Sequence, residues 1–203
     1  MAESKCASSA LYESLEYCKG TTVLPGLRPH VYYISKHDIA KWPEVQSAVA
    51  KGGTMGTLGT LKGDFVLSAD AKWRRIDILT KSSSVKSESQ GDAPSKTFKN
   101  SGVFLYPGNN SDAVAFCRQA NADDLVYLWP QRDGQYRVLG NEMFETNTTP
   151  SQESGSGETD ASGTTINVEV TDIMPSPFYV GKIETADGNF SGADGSAVTE
   201  LPQ

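Results

Sequence analysis

Hydrophobic and polar positions alternate along much of this chain with the period of β-strands, and the clearest signal is LVYLWPQRDGQYRVLG at residues 125–140. Asp133 and Gly134 lie at its centre, and an Asp-Gly pair favours the positive φ angles of a tight hairpin turn. The pattern predicts two strands around a turn at residues 132–135. The first strand, residues 125–129, is apolar at every position, whereas a hairpin with one face in water alternates apolar and polar residues. Both faces of this strand therefore need a cover.

Several other stretches are predicted to be strands by the same criteria. Residues 74–80, RRIDILT, place both isoleucines on one face and Arg75, Asp77 and Leu79 on the other. Further predicted strands are residues 30–34, 64–68, 97–106, 164–170 and 178–183. The chain is thus predicted to be mainly β.

One helix is predicted after residue 110. Asn110 or Ser111 caps its start, and Asp112 lies in the first turn, where the helix dipole favours an acid. A narrow apolar stripe follows at helical spacing, made of Ala113, Phe116, Cys117 and Ala120. A stripe of this width suits a helix that packs on a sheet.

The stretch between residues 35 and 63 has a less regular pattern. Ser35 and Asp38 have the spacing of a capping box, which predicts a short helix that Pro43 bends or restarts before Val49. Five glycines in residues 52–63 predict a flexible connector, because neither phosphate-binding glycine motif occurs there.

Two polar segments are predicted to be long hairpin loops, residues 81–96 and 146–163. Both are rich in turn-forming residues, and a predicted strand resumes directly after each, so neither is read as a domain boundary. We therefore predict an N-terminal arm at residues 1–22, one β-rich domain at residues 23–188 and an acidic, flexible C-terminal tail at residues 189–203.

Charge is distributed unevenly along the 203 residues. The net charge is −7, yet residues 142–203 hold 11 acids against the single base Lys182, while residues 1–141 have a net charge of +3. Such an asymmetry is typical of a solvated acidic surface and argues against sequence-specific nucleic-acid binding by the C-terminal third. No apolar run is long enough to cross a bilayer, so no membrane insertion is predicted.

Residues that could support catalysis or metal binding are sparse. The two histidines, His30 and His37, have no nearby cluster of carboxylates, and the three cysteines lack zinc-site spacing. No nucleophile-elbow or metalloprotease motif occurs. In the cluster Lys72-Trp73-Arg74-Arg75, the aromatic ring could stack on a base and its basic neighbours could pair with phosphate. It is one short cluster in an acidic protein. We predict no enzymatic activity and no cofactor.

These patterns predict an antiparallel β-barrel or β-sandwich with one flanking α-helix, long hairpin loops and terminal arms. Two arrangements would cover both faces of residues 125–129. The domain itself can supply both covers, as in a barrel or sandwich, or neighbouring subunits can complete the sheet. A chain of this kind is suited to binding or assembly.

Four segments resemble the tail tube proteins encoded in phages and prophages of gut bacteria. They are GDFVLSADAKWRRIDIL, SESQGDAPSKTFKNSGVFLYPG, AFCRQANADDLVYLWPQRDGQYRVLGNEMF and GTTINVEVTDIMPSPFYVGKIETADG. The resemblance spans roughly residues 23–188 and rests on the layout of strands and loops, because this family has no invariant chemical motif.

The resemblance implies a virion structural protein that assembles into hexameric rings, which stack into a tube through which phage DNA passes. Its implied partners are copies of itself, other tail proteins and, without sequence specificity, DNA; its implied location is the virion tail after assembly in the host cytoplasm. The implied ring-to-ring contacts lie in the two polar loops and at the two ends of the chain. The candidate contact residues within the loops are Ser84, Lys86, Glu88, Gln90, Asp92, Pro94, Thr149, Gln152 and Glu158.

Two alternative functions stay open from the sequence. A connector, tail-terminator or baseplate-hub ring can share the tube fold and would form rings that do not elongate. A monomeric β-sandwich module for glycans would instead present Trp73, Trp129 and Tyr179 on an exposed platform.

Overall fold

A computed structural model describes residues 12–46, 54–156 and 162–198, and these form a mainly β structure with two principal sheets. The larger sheet has seven strands in the order β3-β4-β13-β10-β9-β1-β6. Its strands are β3 Glu44–Val45, β4 Thr60–Lys62, β13 Phe178–Tyr179, β10 Tyr136–Leu139, β9 Leu125–Pro130, β1 His30–Ser35 and β6 Arg74–Asp77. All neighbours in it are antiparallel except β13 and β4.

The second sheet has four antiparallel strands in the order β11-β12-β8-β7. Its strands are β11 Thr146–Glu153, β12 Gly163–Asp172, β8 Thr97–Tyr106 and β7 Ser84–Gln90. Two small hairpins complete the β-structure, one of β2 Ile39–Lys41 with β5 Val66–Leu67, the other of β14 Lys182–Thr185 with β15 Gly188–Ser191. Both principal sheets stay open in the described ranges, so the architecture is a sandwich and not a barrel.

Strand β9 lies at the centre of this architecture, and all six of its residues are buried. Leu125, Tyr127 and Trp129 point into the core between the two principal sheets. Val126 and Leu128 point into a second core on the opposite face of the seven-stranded sheet. The alternation explains why no position of this strand is polar.

The second core is covered by the chain itself. Ile39 and Leu67 of one small hairpin and Ile183 and Phe190 of the other pack onto this face of the seven-stranded sheet. The molecule therefore has three layers, and of the two arrangements compatible with the sequence it uses the cover within one chain.

The helix α2, Ser111–Ala120, follows the sequence prediction. The side chain of Asn110 accepts a hydrogen bond from the backbone N–H of Ala113 at 3.0 Å, which caps the helix start. Ala113 and Ala120 are buried, and Phe116 meets the Tyr33 ring edge-on with 5.1 Å between centroids. The predicted apolar stripe thus anchors α2 to the sandwich.

The predicted helix after Ser35 is wrong. Only a 3₁₀ turn, Lys36–Asp38, forms, and the Ser35 hydroxyl donates to Asp123 at 3.0 Å instead of capping a helix. The chain then continues as β2, because Ile39 has a place in the second core. Val49 lies outside the described residues. Part of the glycine-rich stretch is ordered, as the short helix α1 Met55–Leu58 and strand β4.

About half of each predicted long loop is strand, which corrects the prediction for residues 81–96 and 146–163. Strand β7 pairs with β8 over residues 84–90, and β11 pairs with β12 over residues 146–153. Each is an edge strand, so its outward residues meet water and show no apolar alternation. Polarity was therefore a poor guide to strand content here.

The C-terminal part also differs from the prediction. Residues 178–183 divide into β13 and the start of β14, because the chain bends at Gly181 between the seven-stranded sheet and the small hairpin. The flexible tail predicted from residue 189 is wrong for residues 189–191, which belong to β15, where Phe190 stacks on Tyr32 at 6.5 Å.

Gly102 marks the closest approach of the two principal sheets. A methyl group on this residue would lie 2.8 Å from Leu139 Cδ1 and 3.0 Å from the Phe104 ring. We expect Gly102→Ala to lower the free energy of unfolding by about 1–3 kcal/mol through overpacking. Chemical denaturation measures this change. Gly59→Ala is the control, because its added methyl meets nothing closer than 3.8 Å; equal stability of the two variants would contradict the packing argument.

Candidate assembly surfaces

The predicted contact residues of the first polar segment lie on one strand and its turn. Ser84, Lys86, Glu88 and Gln90 project from the same side of β7, away from the sandwich core. Asp92 and Pro94 lie exposed in the turn that joins β7 to β8. The structure thus collects these side chains at one edge of the four-stranded sheet.

The second polar segment lies at the opposite edge of the same sheet. Thr149 is exposed on β11, and Gln152 near its end donates a hydrogen bond to the Thr164 hydroxyl at 3.1 Å. Glu158 lies outside the described residues. The two sets of predicted contacts are therefore separated by the full width of the sheet.

The outer face of the four-stranded sheet is almost entirely polar. Cross-strand register aligns Ser84, Val103, Asn167 and Thr149 in one row and Lys86, Ser101, Glu169 and Asn147 in the next. The first row has three hydroxyl or amide side chains and Val103, and the second has two of them and two charged residues. The opposite face of the same strands supplies Phe104, Ile166, Val168 and Val170 to the sandwich core. This face is therefore a hydrophilic surface on a rigid support.

Charges on this outer face occur in pairs. The Lys86 ammonium lies 3.2 Å from the Glu88 carboxylate, and the Lys99 ammonium lies 2.8 Å from that of Glu169. Both pairs are largely exposed, so each adds little to stability. In each pair, the carboxylate compensates the positive charge of the lysine.

No further strand pairs with either side of the sheet in the described residues, and helix α2 lies beside β11. Within the described part of the chain, β7 pairs only with β8 and β11 only with β12. Each edge thus has a row of backbone N–H and C=O groups that could pair with another strand. Pro150 interrupts this row on β11, because proline has no N–H. The Thr146 N–H already donates to the Asp124 carboxylate at 2.9 Å, so residues 147–149 and 151–153 are the two uninterrupted segments of this edge.

The predicted turn at Asp133 and Gly134 is confirmed. Gly134 has φ +104°, and the Asp133 carboxylate accepts the Gln135 N–H at 3.0 Å. A side chain at Gly134 would collide with the Asp194 carbonyl and the Arg28 guanidinium. The turn is packed against the C-terminal segment and lies apart from the edges of the four-stranded sheet.

An apolar cleft was not foreseen from the sequence. It has a volume of about 710 Å³ and opens between β3, the segment after β10 and the segment after β12. Its apolar walls are formed by Trp42, Val45, Leu61, Met143, Ile173 and Met174. These residues come from four separate parts of the chain, so no local pattern could have indicated it.

The wall of this cleft holds one buried carboxyl group, Asp172, and the exposed Glu44 and Glu142. Asp172 is buried, and burial raises the pKa of its carboxyl above the ordinary value although the Ile173 N–H and the Asn141 side chain stabilise the charged form. The Asn141 oxygen accepts the N–H groups of Met143 and Phe144 and so fixes the wall on that side.

The aromatic platform considered for glycans is wrong. Trp73, Trp129 and Tyr179 are all buried in the two cores. Trp129 donates its indole N–H to the Ser176 hydroxyl at 3.0 Å, while the buried Trp73 indole N–H has no partner in the described structure. Trp73 is thus equally unable to stack a nucleotide between its basic neighbours.

The histidines and cysteines do not converge on a reactive site in the described ranges. No group of three or more potential metal ligands occurs there, and no helix is long and apolar enough to span a membrane. His37 is exposed, whereas His30 shares a hydrogen bond of 2.8 Å with the Tyr136 hydroxyl. Burial, together with the positive charges of Arg75 and Arg28, lowers the pKa of His30 to about 4.

Comparisons of this chain with protein-family models, with curated proteins and with solved structures found no match.

The lowered pKa of His30 predicts a loss of stability in acid. The unfolded chain binds this proton at about pH 6.5 and the folded chain only at about pH 4, so stability falls as the pH drops between these values. Because the ring is partly exposed, screening by solvent limits the loss from this residue to about 1–2 kcal/mol. We expect the difference in the free energy of unfolding between pH 7 and pH 4.5, measured with denaturant, to be smaller in His30→Gln than in the wild type. The exposed-site control His37→Gln should keep the wild-type difference; an unchanged difference in His30→Gln would contradict the prediction.

Proposed function

We propose that this chain is a phage tail tube protein, which assembles into hexameric rings that stack into a conduit for DNA. The observation that supports this best is the four-stranded sheet, which is polar on its outer face and unpaired at both edges in the described structure. An edge of one copy can pair with the opposite edge of the next, a head-to-tail contact that closes into a ring.

The width of such a ring favours six copies. Strands lie about 4.8 Å apart, so six four-stranded sheets give a circumference of about 115 Å and a backbone diameter of about 37 Å. Side chains narrow the bore by roughly 10 Å, which leaves room for a DNA duplex about 20 Å wide. Four copies would give a backbone diameter of only about 24 Å and would exclude the duplex, while five would give about 31 Å and a bore of about 21 Å with almost no clearance.

The charge pattern of the outer face suits a surface past which DNA moves. DNA adheres to proteins chiefly through uncompensated lysines and arginines that neutralise phosphates. Lys86 and Lys99 are each matched by a carboxylate on the same face. In the proposed tube this face lines the bore, so its hydroxyl, amide and paired charged groups would not hold the polyanion.

The proposal is tested by negative-stain electron microscopy of the purified chain over a concentration series, with light scattering on the same samples. We expect sixfold rings and hollow tubes whose length grows with concentration. Closed rings that never elongate would favour the connector, terminator or hub alternative. A monomer at every concentration would contradict self-assembly through open edges.

A pair of proline variants tests the edge contact itself. Successive N–H groups of an edge strand point alternately to the paired strand and to solvent. Of Lys86→Pro and Ser87→Pro, one therefore removes a backbone hydrogen bond to β8 and the other an outward backbone N–H. Lys86→Pro also loses the exposed ion pair to Glu88, and Ser87→Pro the hydroxyl that accepts the Ser176 N–H. We expect the variant that loses the outward N–H to melt within about 2 °C of the wild type and yet form no rings. Thermal melting followed by circular dichroism shows which of the two variants keeps the wild-type melting temperature. Normal rings formed by that variant would contradict pairing through β7.

Removing the carboxylates of the outer face tests its role toward DNA. The double variant Glu88→Gln, Glu169→Gln leaves Lys86 and Lys99 without their ion pairs, so assembled material should retain DNA at low salt and release it as salt rises. Filter binding measures the retention. Asp70→Asn, Glu145→Gln changes the charge equally at two exposed carboxylates outside this face that form no ion pair in the described structure, and should behave as the wild type. Equal retention by both double variants would contradict the assignment of this face.

A further inference from the structure

The apolar cleft leaves large apolar side chains in contact with water. Val45, Met143 and Ile173 lie in its walls and are 46%, 58% and 48% exposed. The cleft volume of about 710 Å³ falls within the range of roughly 300–1,000 Å³ that is typical of small-molecule sites. Because water gains free energy when an apolar group displaces it from such walls, the cleft favours a ligand with an apolar body.

The aromatic wall of the cleft is Trp42, whose ring is held in place by its neighbours. Phe65 meets this ring edge-on with 5.4 Å between centroids. The Lys36 ammonium lies 6.0 Å from the centroid of the Trp42 ring and 3.2 Å from the Asp124 carboxylate. A tryptophan ring attracts cations to its face. Since Asp124 balances the charge of Lys36, this lysine adds no uncompensated positive charge beside the cleft.

The charged side chains in the walls of the cleft are mainly acidic. They are Glu44, Glu142 and Asp172 against the single base Lys41. Glu44 and Glu142 are exposed, and neither forms an ion pair in the described part of the chain. Glu44 lies on the β3 wall and Glu142 on the wall that follows β10. The charge complementary to these walls is therefore positive.

Asp172 adds a carboxylate with a fixed position. The Ile173 N–H donates to it at 2.6 Å, and the Asn141 side chain also forms a hydrogen bond with it. Asn141 in turn donates to the Thr171 carbonyl at 2.8 Å, which holds it beside Glu142 and Asp172. A buried carboxylate is costly unless it is paired, and no base pairs with Asp172 in the described residues. A cationic ligand would supply that partner.

We propose that the cleft binds a small amphiphilic amine, whose alkyl chain lies against Val45, Met143 and Ile173 and whose ammonium group faces Glu142 and Asp172. An anion of the same shape would meet three carboxylates, and a neutral compound would leave Asp172 without a partner. The inference goes beyond the proposed function and does not depend on it, because every residue of the site belongs to one copy of the chain.

A series of simple ligands tests the chemistry of the site on the full chain. Isothermal titration calorimetry is carried out with n-octylammonium, n-butylammonium and octanoate. We expect saturable one-to-one binding of n-octylammonium. Butylammonium should bind at least about tenfold more weakly, since each buried methylene contributes about threefold in affinity, and octanoate should also bind at least about tenfold more weakly. No saturable binding of n-octylammonium, or equal affinity for octanoate, would overturn the inference.

Two pairs of variants test whether the amine lies in this cleft. Glu44→Gln, Glu142→Gln should weaken n-octylammonium binding by at least about fivefold, while Asp70→Asn, Asp92→Asn changes the charge equally at exposed sites outside the cleft and should bind as the wild type. Ile173→Ala should weaken binding by at least about threefold. Its control is Val114→Ala, an exposed position on α2 outside the cleft walls. Equal affinities within either pair would overturn the assignment of the amine to the cleft.

Discussion

Strand β9 places apolar side chains on both faces of the seven-stranded sheet, and each face needs its own cover. Burying a side chain of this size stabilises the fold by about 1.5–3 kcal/mol, so exposure of either face would remove much of the stability of a small domain. The four-stranded sheet covers one face and the two small hairpins cover the other. The three-layer architecture follows from this one requirement.

A buried polar network holds the layers in register. The Ser176 hydroxyl accepts the Trp129 indole N–H at 3.0 Å and donates to the Val138 carbonyl at 2.6 Å, which joins it to the seven-stranded sheet. The Ser176 N–H donates to Asn100 of the four-stranded sheet at 3.1 Å. Since buried polar groups are costly when unpaired, this network fixes the relative position of both sheets as well as the segment beside the cleft.

The elements predicted correctly from the sequence are those whose alternation of hydrophobic and polar residues follows from burial in the cores. Ile76 and Ile78 lie in the sandwich core as their alternation predicted, and the hairpin around Gly134 has the predicted turn. Edge strands were missed, because one side of β7 and β11 meets water and their pairing depends on distant strands. The helix predicted from Ser35 failed for a related reason: a tertiary contact of Ile39 prevailed over a local capping pattern.

The candidate surfaces were predictable only in part, for the same physical reason. Side chains such as Lys86 and Thr149 were predicted as contact residues from the polar segments. Only the register of the four strands shows that these side chains share one face of the sheet. The cleft could not be predicted, because Val45, Met143 and Ile173 meet only in the folded chain.

The two kinds of candidate surface would bind a partner through different interactions. Pairing of sheet edges uses backbone hydrogen bonds that depend little on side-chain identity, so it suits a contact between identical copies. In the apolar cleft, the strength of a contact comes from the burial of apolar side chains. Because the cores are already complete within one chain, both kinds of contact add to a folded subunit and neither is needed to form it. A subunit with this division can fold first and assemble afterwards, as the proposed tube requires.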